Sequence, residues 1–191
     1  MKQKLFSHMY LILPEVLTLI EQSRKHADLL AEQNLTRSND LILLTQEAMR
    51  ILPSFEIMIL DDHLYLIIPL LLRTASCGRN SIEINNMQKI AIQMMNLMVV
   101  CSTFREFTAQ VIHQLLKLLE VQTTESELIS FILESFATIA KKLQTDFAPY
   151  IQLIMKAVKR NGISSRIGVL EDAILRITKQ DPIERFRENL E

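Results

Sequence analysis

A chain of 191 residues that is 49% apolar and carries 21 basic against 22 acidic side chains can bury a large core but presents no field to draw in a polyanion such as DNA. Three glycines are too few for the φ > 0 positions of a turn-rich sheet, so an all-α protein is predicted. Two unclustered cysteines, Cys77 and Cys101, argue against a secreted disulfide framework and read as reduced thiols of an intracellular, cytoplasmic protein.

The N-terminal segment imitates a signal peptide, with Lys2 and Lys4 ahead of the apolar residues 5–13. Ser7 and His8 interrupt that run, Glu15 and Glu21 follow it, and no small-residue cleavage pattern appears. A first helix is expected over residues 5–26, bent by Pro14. Residues 23–40 are polar and read as a loop or weak helical extension, with Asn34, Ser38, Asn39 and Asp40 able to bond their own backbone. A second helix follows over residues 40–55, capped by Asn39 or Asp40. Leu41, Leu44, Ala48, Ile51, Leu52 and Phe55 fall on one stripe, and Pro53 lies near its end.

Asp61 and Asp62 stand where a third helix should begin, and their carboxylates suit its unpaired N–H groups. Together with His63 they also admit a metal or acid/base reading, but adjacent helical residues point to different sides, so capping is the better account. Pro69 repeats the device of Pro14 in the same surroundings, YLIIP against YLILP. After a break at residues 76–81, a helix over residues 82–100 offers Met87, Ile90, Ala91, Met94, Met95, Leu97 and Met98 to a core, or alternatively to a Met-rich binding groove. The apolar runs 64–72 and 90–104 both fall short of the roughly 18 residues a membrane span needs.

Thr103 with Glu106, and Thr124 with Glu127, have the spacing of capping boxes. Each opens a helix. Val111, Ile112, Leu115, Leu116 and Leu119 face inward on the first; Leu128, Phe131, Ile132, Phe136, Ile139 and Leu143 do so on the second, which lies antiparallel to it. Asp146 and Pro149 start another, with Tyr150, Leu153, Ile154, Ala157 and Val158 on its apolar face. Lys156, Lys159 and Arg160 precede Asn161-Gly162, a marked helix stop. A last helix spans residues 165–179, ahead of Asp181-Pro182 and a charged tail at 183–191.

Four helix-sized stretches thus share much the same face: residues 6–20, 61–75, 104–121 and 146–158, with another helix between successive copies. This recurrence predicts a stack of about four antiparallel helix pairs over residues 1–182, an α-solenoid of HEAT/ARM type.

Chemistry is sparse. His8, His26, His63 and His113 have no metal-ligand spacing among themselves or with the cysteines, and His113 reads as a partly buried, hydrogen-bonded imidazole. Phosphate-binding and kinase motifs are absent from the sequence. The basic group Lys156, Lys159, Arg160 and Arg166 could meet phosphate or an acidic protein, but a solvated helix end is the better account. No catalytic residue, cofactor, metal site or small-molecule substrate is assigned.

LDDHLYLIIPLLLRTA, residues 60–75, resembles a helix of target-of-rapamycin (TOR) kinases that reads like LEDYLHLVIPAIVKL, and TAQVIHQLLKLLE resembles their following ASRIIHPLLRVLD segment. ESELISFILESFATIAKKLQTDFAPYIQLIMKAVKRNGI then continues in the family's order, with Phe147, Tyr150, Ile151, Val158 and Ile163 at its apolar positions. The resemblance spans residues 55–177. Ala109-Gln110 replaces a usual Ser-Arg, and Gln114 replaces a proline. The resemblance implies part of the HEAT-repeat region that precedes the kinase domain of a PI3K-related Ser/Thr kinase of nutrient and growth signalling. Such arrays hold a dimer and recruit a Raptor-like subunit, and the segment itself is expected to be non-catalytic, cytoplasmic or peripheral to endomembranes within a complex. An independent adaptor of the importin or phosphatase-subunit type, and a small lipid-binding or enzymatic bundle, are the alternatives.

Overall fold

The structure is a computed structural model that describes residues 2–77, 81–122 and 126–180, with side chains over 8–77, 81–122 and 126–177. The described residues are helical apart from short connections, and no strand occurs among them. The fold class is therefore all-α. Two compact units divide the chain, Met1–Gln114 and Leu115–Glu191.

The first unit contains α1 (Lys2–Leu30), α2 (Leu35–Arg50), α3 (Ile57–Asp62), α4 (Leu64–Ala75), α5 (Ile82–Met98) and the beginning of α6 (Phe104–Val121). The loop expected at 23–40 shrinks to residues 31–34, because its polar side chains bond within the helix pair instead of ending it. Ser23 Oγ donates to the Leu19 carbonyl at 2.6 Å and lies 2.9 Å from Thr45 Oγ1, while Ser38 Oγ donates to the Ala27 carbonyl at 2.7 Å. Those two cross-links run in opposite senses along the chain, which makes α1 and α2 antiparallel. Asn34, not Asn39 or Asp40, caps α2, its Oδ1 accepting from the Arg37 amide at 3.1 Å.

The buried stripe of α2 differs from the expected one. Ile42, Ala48 and Met49 turn inward with Ser38, Thr45 and Gln46, whereas Leu44 and Ile51 are exposed. Polar residues occupy the inner face because each finds a partner there; Gln46 Nε2, for example, donates to the Glu83 carbonyl at 2.9 Å. On α5, Ser81 Oγ accepts the Ile84 amide at 3.2 Å as N-cap. Met87, Ile90, Ala91, Met94, Met95 and Met98 are buried as expected, but Leu97 joins Gln93 and Val100 on the outer side.

The second unit holds the remainder of α6, α7 (Leu128–Leu143), α8 (Ala148–Arg160) and α9 (Gly168–Gln180). All five apolar positions expected on α6, from Val111 to Leu119, are buried. A 3-10 turn, Gln144–Phe147, drops the fully buried Phe147 into the unit before Pro149 opens α8 in its first turn. Leu153 faces outward on α8 while Ile154, Ala157 and Val158 are buried. The helix stops where Gly162 takes φ 66°, with its amide bonded to the Lys159 carbonyl at 3.2 Å. The Thr124–Glu127 box and the tail at 183–191 lie outside the described residues.

Cross-links between helices of successive pairs share a nearly constant sequence separation. Within the first unit Gln46 reaches Glu83, 37 residues on; Asp61 reaches Ser102 and Thr103 at 41 and 42; Gln114 reaches Ser76 at 38. Within the second, Arg160 meets Glu120 at 40 and Arg166 meets Ser126 and Ser130 at 40 and 36. The links of Asp61 and Ser76, at the two ends of α4, have nearly the same offset, so α4 and α6 run in the same direction. The α1–α4 links, Tyr10–Asp62 and Glu21–Arg73, also agree with each other, both at 52. Their longer step accommodates the 3-10 turn Leu52–Ser54 and α3.

Candidate functional site

Among the described residues a polar cluster gathers where α3 ends, between Tyr10 of α1 and the residues that lead into α6. Asp61 and Asp62 do not cap α4 as expected. They end α3, and His63 precedes α4 with no side-chain cap bond. Because neighbouring helical positions point apart, the two carboxylates serve different helices. Asp62 accepts the Tyr10 hydroxyl at 2.5 Å. Asp61 turns the other way: its Oδ1 accepts the Thr103 amide at 3.0 Å and hydroxyl at 2.6 Å, and its Oδ2 accepts the Ser102 amide at 3.2 Å and the Ser102 hydroxyl. Asp61 thus anchors the two residues that lead into α6, from 41 and 42 residues upstream. Thr103 gives its hydroxyl proton to Asp61 while its own carbonyl takes the Glu106 amide at 3.0 Å, an arrangement other than the expected capping box.

Partial burial pushes the Asp61 carboxyl up, but the four donors of Ser102 and Thr103 outweigh it and hold the group down at about 2. A carboxylate so fully engaged is a structural acceptor and a poor general base. The bond to Asp62, reinforced by desolvation and by that residue's charge, raises the Tyr10 phenol above its ordinary value. Beside it, His63 Nδ1 lies 2.9 Å from the Ile59 carbonyl, and its ring is 5.7 Å from that of Tyr10. Farther along the α1–α4 seam the bond from Lys25 lowers the Glu21 carboxyl, against a smaller desolvation effect and with help from Arg73.

The remaining candidates separate. His8, His26 and His113 are exposed, so His113 is not the partly buried imidazole expected; Val111, Ile112, Leu115 and Leu116 take the inner side of α6 and leave position 113 outside. Among the described residues no three His, Cys, Asp or Glu side chains group as metal ligands. In the basic group, Arg160 pairs with Glu120 and Arg166 reaches the Ser126 carbonyl and the Ser130 hydroxyl, so neither stands as a free phosphate contact. The α5 methionines are core residues and form no open groove. No helix among the described residues is long and apolar enough to cross a membrane.

The residues that apolar periodicity missed are the buried polar ones, among them Ser23, Ser38, Thr45, Gln46, Thr74, Gln88, Thr108 and Ser135. Their one sequence signal is helical spacing, as in Ser38, Thr45 and Gln46 on α2. No family model matches the chain, and neither a curated protein nor a solved structure matches it.

Proposed function

We propose that this chain is a non-catalytic, cytoplasmic protein-binding scaffold whose helix pairs are HEAT/ARM-type solenoid repeats, resembling part of the array of a TOR kinase. The supporting observation is the recurrent offset of 36 to 42 residues between linked helices, repeated in both units. HEAT and armadillo repeats have periods of roughly 40 to 47 residues, and their neighbouring pairs stack in parallel register. In such an array the inner faces build the core and the outer faces recruit proteins, so function resides in surface and not in a pocket. The TOR reading adds the partner, a Raptor-like substrate-presenting subunit in nutrient and growth signalling.

One observation favours an independent adaptor of the importin or phosphatase-subunit type as the second reading. Ala109 and Gln110, which replace the Ser-Arg of the TOR pattern, are exposed, so a partner that reads that dipeptide would meet a different surface here. Binding of the purified chain to a Raptor-like subunit, measured alongside ATP turnover, tests the proposal. Binding without turnover is expected. Turnover would overturn the scaffold reading, and absence of binding would overturn the TOR assignment in favour of the adaptor.

A further inference from the structure

Two helices of the second unit stop in different ways. α8 stops at Gly162, where a φ of 66° costs a residue without a Cβ nothing. α7 stops at Gln144, with φ 51° and ψ −122°, and among the described residues this is the one non-glycine position with positive φ. A side-chain-bearing residue holds such a backbone only where its surroundings force it there.

No local signal asks for that stop. Residues 144–147 read Gln-Thr-Asp-Phe, with neither glycine nor proline among them, and Pro149 stands two residues farther on. By local preference α7 would run on for about one more turn, through Phe147, before Pro149 turns the residue ahead of it away from helix. The bend is enforced by packing instead. The Gln144 amide closes the last turn of α7 on the Ala140 carbonyl, and the Ala148 amide bonds the Thr145 carbonyl. Between those bonds Gln144, Thr145 and Asp146 are exposed, while Phe147 is fully buried with its ring 6.1 Å from that of Tyr150. The 3-10 turn that carries Phe147 packs against α7, α8 and α9, so one apolar side chain holds the joint against the strain at Gln144.

We propose that the α7–α8 joint is a two-state conformational switch. In the bent state, the one described above, Phe147 is seated and Gln144 is strained. In the extended state Gln144 returns to the right-handed region, α7 lengthens through Phe147, and α8 undocks while α7 stays packed on α9. Burial of the phenyl ring favours the first state; strain relief and helix continuation favour the second. The two oppose each other across a few backbone torsions, as in a hinge, and a ligand that prefers either arrangement of α8 shifts the balance. The switch belongs to the packing of the second unit and holds whether or not the proposed family is right.

Hydrogen exchange of the full chain, read by mass spectrometry over peptides from α7 and from α8, tests it, with circular dichroism confirming that each variant is folded. In the wild type α8 is expected to exchange faster than α7, which is helical in both states. Gln144→Gly should slow exchange in α8 by about tenfold or more and leave α7 unchanged, because glycine relieves the bent state and weakens the extended helix. Phe147→Leu, which keeps the seat apolar but fills less of it, should speed exchange in α8 alone. Equal exchange of the two helices in the wild type, a Gln144→Gly effect shared equally by both, or no change in α8 with either variant would overturn the switch.

Discussion

α1 and α4 share a five-residue cassette, YLILP and YLIIP, and differ in what surrounds it. In α4 the residues at 67, 68, 70, 71 and 72 are all buried, whereas α1 buries Leu13, Val16 and Leu17 and exposes Ile12 and Glu15. The difference is one of neighbours and not of helix formation. Both segments are amphipathic enough to form helices, and each keeps its proline inside a continuous helix. α4 is packed against α1 and α5, while α1 meets α2 and α4 and exposes Leu11, Ile12, Glu15, Thr18 and Leu19. Local pattern decides that a helix forms, and stacking order decides how much of it is buried.

The largest expected effect breaks this comparison directly. Ile67→Ala should cost about 2 to 4 kcal/mol, because it removes buried methyl groups and leaves a cavity, whereas the equivalent Ile12→Ala should stay within about 0.5 kcal/mol. Urea denaturation of the two variants measures both. Equal losses would mean that Ile12 is as buried as Ile67.

Asp61 sharpens the comparison by showing how α4 is fastened to the next helix in line. Asp61→Asn keeps the shape but weakens the acceptors for two amides and two hydroxyls, for a loss of about 1 to 2 kcal/mol near neutral pH. The acid dependence carries the same information. Folding lowers this carboxyl from 3.8 to about 2, so its stabilisation is complete above the unfolded value and is lost as pH falls from about 4 toward 2. Denaturation midpoints followed through that window should fall more steeply for the wild type than for Asp61→Asn.

The smallest effect belongs to the α1–α4 ion pair. Glu21 lies 3.4 Å from Arg73 and 3.2 Å from Lys25, on a surface where such pairs contribute little. Glu21→Gln should cost less than about 1 kcal/mol, and the difference should shrink as salt is raised. Its carboxyl is also lowered, so this contribution too is present at neutral pH and fades on acidification.

Much of the architecture was legible in the residues because it rests on apolar periodicity and local stops. The inner face of α6, the methionine-rich face of α5 and the Asn161-Gly162 stop all follow from spacing within one segment. The inner face of α2 did not, since Ser38, Thr45 and Gln46 look like surface residues until the carbonyls and hydroxyl that satisfy them are placed opposite. Asp61 was read as a cap for the helix that follows it, but its donors, Ser102 and Thr103, lie 41 and 42 residues downstream, beyond what local spacing can reach. The outward turn of Leu44, Leu97 and Leu153 was hidden for a related reason: an apolar residue on a helix announces burial only when its neighbours are known.

The proposed repeat requires linked helices of successive pairs to run parallel about 40 residues apart. Cross-linking by a short bismaleimide tests it in the second unit, after Cys77 and Cys101 are replaced by serine. Glu120→Cys should react with Arg160→Cys, its partner across 40 residues at the end of α8, and should fail with Gln152→Cys nearer the helix start. Preferential cross-linking to position 152 would place α8 antiparallel to α6 and contradict the repeat.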